Sequence, residues 1–394
     1  MGPRTTRMLL TLHRRCGLFV CLNLAVLSLT GVILVFHEEI DTFLGAMPEA
    51  RGEGALVSLA ETVEVARASR PEAHPVFVFQ EPDAHPHVVF VGLTEGAPRI
   101  EEAEPVAVDR RGGELLGDID LRGSFTGLVL QLHAELFLGP FGKLLTGAIG
   151  LAFLVSLLSG VAVYGPMMRR FRFGMLRVRR ARRTLVADLH KLVGVATLGW
   201  TLVVAVTGIL LSLGSILLQV YATTELAALG AHHADAPLVT DLRSLDAAVA
   251  SAEATEPGRH WAIVALPGSD LASPRDYSVL LQGKEGLEQK VMTMALVDAL
   301  APERAEAHAF PWYLQALMVS EPLHFGDYGG WPLKLVWALL GLATLLVSLS
   351  GVWVFGRSRR DARARRRTEA LDTDAEAARA EPMAPEPALA AEAP

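Results

Sequence analysis

Leu189-His190-Lys191-Leu192-Val193-Gly194 repeats Leu12-His13-Arg14-Arg15-Cys16-Gly17, and each copy leads directly into a long apolar run. Seventeen residues after each histidine stands a Thr-Gly pair, Thr30-Gly31 and Thr207-Gly208. A second matched pair, Leu132-His133 and Leu323-His324, precedes two further apolar runs. Each of these histidines is followed at +17 by glycine (Gly150, Gly341) and at +26 and +27 by Ser-Gly (Ser159-Gly160, Ser350-Gly351). The chain therefore reads as two copies of one unit, a span, an outer segment and a span. Internal doubling is common in membrane folds; here both copies start on the same side and share one orientation.

The chain is 51% hydrophobic, with a mean hydropathy of +0.34, and the surplus is concentrated. Residues 16–36, 143–165, 192–220 and 333–355 are apolar runs long enough to cross a hydrocarbon layer of about 30 Å. The first run follows Arg4, Arg7, Arg14 and Arg15 but has no small-residue cleavage pattern before His37-Glu38-Glu39, so it is expected to stay as a span. Arg169, Arg170, Arg172, Arg177, Arg179, Arg180, Arg182 and Arg183 lie between the second and third runs, and a second arginine cluster begins at Arg357. Short basic flanks remain in the cytoplasm, which puts both termini inside and the segments 38–130 and 221–330 outside. Membrane lipid is thus one partner. The arginine-rich loop lacks the stacking aromatics of a nucleic-acid surface, so no nucleic acid is expected. Cys16 and Cys21 sit five apart in a membrane helix and read as small apolar residues.

The expected division is 1–40 (cytoplasmic start and first span), 41–124 (first outer domain), 125–168 (outer helix and second span) and 169–186 (basic loop). It continues with 187–220 (third span), 221–322 (second outer domain), 323–356 (fourth span) and 357–394, a tail expected to be disordered from about 368. Each outer segment has mixed character. Residues 59–66 read as a helix, 76–79 and 88–91 as strands, and 106–116 as a hairpin. The second segment offers a helix at 241–252 and strands at 261–266, 277–281 and 291–294. Two small domains of modest apolar content are expected to lean on each other or on the bundle.

The histidines fall in two layers. His13 and His190 begin outward-running helices near the cytoplasmic surface; His133 and His324 precede inward-running ones, and His37 closes the first span. Singly, each reads as an interfacial residue. Repeated on separate helices, they form the arrangement that b-type haem requires, two axial imidazoles per iron and two stacked haems across the bilayer. His13 with His190 forms the inner pair. The outer layer holds three candidates for two places: symmetry favours His133 with His324, while His37 is the one attached directly to a span. Gly17 and Gly194, one turn beyond the inner histidines on the same face, leave room for a flat macrocycle. Arg14, Arg15 and Lys191 are placed to meet haem propionates. Glu38, Glu39 and Glu135 lie near the outer histidines, where they serve either proton movement or topology. His74, His85 and His87, and the adjacent pair His232-His233 beside Asp235, read first as exposed loop histidines and second as metal ligands. His260 and His308 stand out in no pattern. No Gly-rich phosphate loop, serine elbow or HExxH appears, and no catalytic residue is assigned.

These motifs, with Phe36-His37-Glu38-Glu39-Ile40, Leu132-His133-Ala134-Glu135-Leu136 and Leu323-His324-Phe325-Gly326, resemble the PepSY-associated transmembrane family of bacterial inner-membrane proteins, which includes ferric-siderophore reductases. The hairpin Val108-Asp109-Arg110-Arg111-Gly112-Gly113-Glu114 looks like the end of a PepSY unit. The likeness covers about 1–360; Arg15 departs from the common His-Arg-Trp form, which removes a stacking ring but leaves the ligand. The resemblance implies an α-helical membrane bundle of four transmembrane helices with two small α+β (PepSY-like) periplasmic domains. It also implies two b-type haems and outward electron transfer that reduces a periplasmic ferric-siderophore substrate. With no flavin or nicotinamide domain in the chain, quinol, a flavoprotein or reduced flavin is the expected donor on the cytoplasmic side. Two other classes remain open: a non-redox accessory protein binding a periplasmic partner, and a permease for iron or its chelate. A permease is the weaker reading, because the later spans carry Ser, Thr and Gly at mid-membrane but no acid.

Overall fold

The computed structural model describes residues 2–82, 84–168, 174–284 and 286–380. Helix α1 (Pro3–Leu34) starts with proline in its first turn, where no N–H is missed. The short α2 (His37–Leu44) leaves it and stops at Gly45, whose φ of 64° lies in the left-handed region. The outer segment follows as α3 (Leu59–Ser69), capped by the Ser58 side chain accepting from the Glu61 N–H. Then come β1 (His74–Gln80), β2 (Val88–Thr94), β3 (Glu104–Asp109) and β4 (Glu114–Asp118). The chain returns through α4 (Phe125–Leu130) and a π-helical turn, Gln131–Glu135, into α5 (Gly139–Met168). The second half runs α6 (Arg182–Ala196), α7 (Leu198–Ser212), α8 (Gly214–Tyr221), the single turn α9 (Ala227–Leu229) and α10 (Leu245–Thr255). It finishes with β5 (His260–Ala265), β6 (Asp276–Gln282), α11 (Gly286–Lys290), β7 (Thr293–Asp298), β8 (Ala305–His308), α12 (Trp312–Phe325) and α13 (Gly330–Ala380).

Helices α1, α5 and α13 are each long and apolar enough to cross a membrane, and α6 with α7, bent by 67°, make a fourth if the pair is one span. Helix α1 packs on α5 and α13, α5 on α7, and α6 on α13. The bundle is turned inside out relative to a water-soluble one. Its buried positions include Thr30, Ser156, Ser159, Thr201, Thr207, Thr344 and Ser348, while Phe19, Leu22, Leu29, Leu151, Leu158, Leu339 and Leu346 face outward. Small hydroxyl residues at helix contacts and bulky apolar ones outside are what lipid selects, since lipid rewards close packing rather than apolar burial.

The outer segments differ from the expected pair of domains. All eight strands form one antiparallel sheet in the order β4-β3-β2-β1-β5-β6-β7-β8. The first strand of each half meets at the centre, with Phe77, Val78 and Phe79 opposite Ala265, Val264 and Ile263. The reason is edge chemistry. In β1, Val76, Phe77 and Val78 are buried, and such a strand left as an edge offers unpaired backbone groups in an apolar setting. Helices α3 and α10 lie together in one core, where Leu59, Val63 and Ala66 meet Leu245, Ala248 and Ala252 over Val78, Val264 and Tyr277. Asp246 of α10 accepts the N–H groups of Leu59 (2.9 Å) and Ala60 (3.3 Å) at the start of α3, so one half caps the other.

Strand β8, Ala305-Glu306-Ala307-His308, has little intrinsic strand propensity and exists through its pairing with β7. The tail is helical as far as Ala380 rather than disordered from 368, consistent with its run of Arg, Ala and Glu, all good helix formers. Residues 381–394, and Arg169, Arg170 and Arg172 of the basic loop, lie outside the described residues.

Candidate functional site: two layers of histidine

Neither outer histidine sits on a spanning helix. His133 lies in the π turn after α4, and Leu136 and Phe137, both at positive φ, separate it from α5, whose first residue Gly139 is also left-handed. His324 lies at the end of α12, which stops at Gly326 (φ 73°), and α13 opens at Gly330 (φ 61°). Both copies therefore use a short outer helix, broken by left-handed residues, to aim an imidazole back at the bundle. His133 is carried just beyond a separate short outer helix, Phe125–Leu130, and not by the start of the span.

Each ring then rests on a glycine of a neighbouring helix. A Cβ at Gly31 would stand 3.3 Å from the His133 ring, and one at Gly208 only 2.9 Å from the His324 ring. The inner layer repeats the device with other helices. A Cβ at Gly160 would meet His13 at 3.0 Å, and one at Gly351 would meet His190 at 3.3 Å. The Thr-Gly pairs are therefore seats for the outer histidines, and the Ser-Gly pairs for the inner ones. Sequence spacing exposed these pairs as a repeat, but their meaning required knowing which helices are neighbours.

Hydrogen bonds fix the chemistry of each ring. His13 Nδ1 lies 2.8 Å from the Ser156 carbonyl, and His190 Nδ1 lies 3.0 Å from that of Val347 and 2.9 Å from Ser350 Oγ. A carbonyl only accepts, so Nδ1 carries the proton in both. His133 Nδ1 is 2.8 Å from Thr30 Oγ1 and His324 Nδ1 is 3.0 Å from Thr207 Oγ1. Both threonine hydroxyls donate down their own helices, to Val26 and Val203, so they too accept from the imidazole. All four rings thus present Nε2 as a lone pair, and none of those nitrogens has a hydrogen-bond partner among the described residues. An N–H committed to a protein acceptor and a free opposite nitrogen is the arrangement of a metal-binding histidine.

The outer rings stand with centroids 6.2 Å apart and planes at 74°. Two imidazoles sharing one metal, each about 2 Å away, have centroids roughly 6 Å apart. His37 is placed otherwise. Its Nδ1 donates to Leu34 within its own chain turn, 2.9 Å away, and among the described residues no glycine of another helix lies under it. Beside it, Lys334 of α13 binds both Glu38 and Glu39 at 2.8 Å. Burial works against the Glu38 charge, but the Lys334 ammonium outweighs it and holds the carboxyl below its ordinary range. Glu135 pairs with Lys143 at 3.6 Å. These three acids therefore have ion-pair partners.

Gly17 and Gly194 face other helices rather than the rings: a Cβ at Gly17 would stand 3.2 Å from Ser156 Oγ, and one at Gly194 3.9 Å from Val347. Arg14 and Arg15 are exposed, while Lys191 lies 3.7 Å from Asp188, which also pairs with Arg177. His74, His85 and His87 do not gather as ligands; His87 Nε2 instead meets the Arg111 guanidinium at 3.0 Å. His232 and His233 do form a group, with Asp276 rather than the neighbouring Asp235. No spacing rule links residues this far apart in the chain.

A family model described as the PepSY-associated TM region matches residues 10–357. An uncharacterised protein of Pseudomonas aeruginosa is 28% identical over 257 residues, covering 60% of this chain and 64% of that protein. The chain thus spans less than two thirds of that relative's length. With the match running from just before His13 to just past the end of the last apolar run, the chain belongs to the PepSY-associated TM family.

Proposed function

We propose that this four-span bundle binds two b-type haems, His13 with His190 in the inner layer and His133 with His324 in the outer, and carries electrons across the bacterial inner membrane. The observation that supports this reading is the fourfold recurrence of one arrangement: an imidazole seated on a glycine, its Nδ1–H bound to the neighbouring helix, its Nε2 free. Haem, when bound, supplies a one-electron carrier whose potential depends on its axial ligands and their surroundings. The chain's own residues hold the imidazoles in one tautomer and raise their basicity through the Nδ1 hydrogen bonds. The four rings are half-buried between helices, and Arg14 and Arg15 offer exposed cations at the cytoplasmic end for carboxylate groups of a ligand.

Electrons enter on the cytoplasmic side from quinol, a flavoprotein or reduced flavin, and leave on the periplasmic side beneath the sheet. The acceptor we favour is ferric iron in a siderophore chelate. One electron converts Fe(III) to Fe(II), a softer ion that hard oxygen donors hold less tightly. Both termini are cytoplasmic in this reading.

Reduced-minus-oxidised visible spectra of the detergent-purified chain test the proposal, with a pyridine haemochrome assay to count haems. Two haems per chain are expected from haem-replete cells; an absent b-type signal refutes the reading.

A further inference from the structure

The second half of the sheet carries a charge arrangement that the first half lacks. Asp276 opens β6 and stands directly opposite Asp298, which ends β7. Like charges in that position repel. Asp298 is answered by Arg275, with Nε–Oδ1 at 2.8 Å and Nη2–Oδ2 at 2.5 Å. Asp276, only 2% exposed, accepts from Ser273 Oγ at 2.5 Å and lies 2.8 Å from His233 Nδ1. Arg275 answers one of the two carboxylates, His233 lies between both, 2.8 Å from Asp276 and 3.9 Å from Asp298, and a buried carboxylate needs a positive partner beside it.

The fold itself does not need Asp276. In the first half the corresponding pair is Val88 opposite Asp109. Asp109 and Asp298 share a structural task, accepting the N–H of the turn that follows, from Arg111 at 2.7 Å and Leu300 at 2.9 Å. Asp276, His232 and His233 are additions to one copy of a doubled unit.

We infer that His232, His233 and Asp276 form a periplasmic binding site for a divalent transition-metal ion of the zinc class. Their ligand atoms lie within 4.8 Å of one another. Two imidazoles and a carboxylate are a donor set that suits zinc and leaves a fourth position for water. The His232 ring is exposed and its centroid lies 3.9 Å from that of His233, the planes tilted by 46°, so an ion has a route in from the solvent. Bound there, the ion adds positive charge beside the buried Asp276 carboxylate and clips the segment after α9 to β6. The site is independent of the haem reading, since it shares no residue with the histidine layers.

The test uses the full-length detergent-purified chain, stripped with a chelator, equilibrated with Zn2+ or Ca2+ and desalted. Zinc and calcium are counted by mass spectrometry, and melting is followed with and without zinc. One retained zinc per chain, no retained calcium, and a melting temperature raised by zinc are expected. His232→Ala, at an exposed position, should fold, elute as the parent does and retain no zinc; Asp276→Asn should likewise lose it. Equal zinc retention by the parent and His232→Ala overturns the assignment. So does a parent that retains none, which leaves His233 and Asp276 as an ion pair only.

Discussion

At the scale of single residues, what distinguishes the four layered histidines from His37 is the surface each ring lies on. A ring over glycine, with its Nδ1–H bound to another helix, is held in one orientation; His37 is bound only to its own turn. His13→Ala and His190→Ala should each lose about one of the two expected haems, read by pyridine haemochrome, and His133→Ala and His324→Ala should lose the other. His37→Ala should keep both; loss of one haem in that variant moves the outer ligand assignment to His37. The acceptors matter separately from the ligands. Thr30→Val and Thr207→Val keep shape but remove the oxygen that receives the Nδ1–H, and should weaken haem binding in the outer layer by about 10–100-fold, measured by haem transfer to an apo-globin. In the sheet, Asp109 has no exposed surface. Burial alone would raise its carboxyl, but the N–H groups of Gly52, Arg111 and Arg51 overcome that and hold it below the ordinary range. A carboxyl depressed by folding stabilises the fold fully above its unfolded value near 3.9, and that stabilisation is lost as pH falls through the folded value. Asp109→Asn should therefore cost about 1.5–3 kcal/mol at neutral pH and flatten the acid side of the stability curve, as read by melts between pH 3 and 7.

At the scale of elements, the two halves of the sheet are joined through β1 and β5 and through one cap. Asp246 sits in the first turn of α10 yet serves the first turn of α3. Asp246→Ala should cost about 1 kcal/mol, and faster hydrogen exchange should appear at Leu59 and Ala60 in the other half. Exchange confined to α10 would show that the cap does not couple the halves. Most of these elements were legible beforehand. Short apolar runs marked β1, β2, β5 and β6, the hairpin pattern at 106–116 marked β3 and β4, and residues 59–66 read as the helix found in α3. Strand β8 was not legible, because Ala305 and Ala307 carry no strand preference and only the partner strand makes them one. The break before α13 was also missed. His324 reads in sequence as the start of the span, and only the positive φ of Gly326 and Gly330 shows that it ends a separate helix.

At the scale of the whole molecule, arginine distribution and the inside-out burial of the bundle agree on a membrane chain with its sheet on one side. With Cys16 and Cys21 replaced, a cysteine introduced at Glu95 should react with a membrane-impermeant maleimide in intact spheroplasts. One at Arg367 should react only after permeabilisation. The opposite pattern reverses the orientation and with it the direction proposed for electron flow. The doubled sequence also acquires a physical meaning at this scale. Each copy supplies seats for its own histidines, so that His13 rests on α5 and His133 on α1, while His190 rests on α13 and His324 on α7. Each layer is completed only when the two copies come together.

The amino-acid sequence alone determined the long apolar helices, the doubling, the layered histidines and the family resemblance. All of these are periodic or local: apolar length, charge flanks and fixed spacings survive without knowledge of neighbours. Tertiary structure decided that the two outer segments are one sheet, and that the Thr-Gly and Ser-Gly pairs are imidazole seats. It also decided that the second outer histidine to face His133 is His324, and that His232 and His233 answer Asp276. Each of these depends on which strand edge finds which partner and which helix face lies opposite. Backbone pairing and close packing settle that between residues far apart in the chain, and no spacing rule records it.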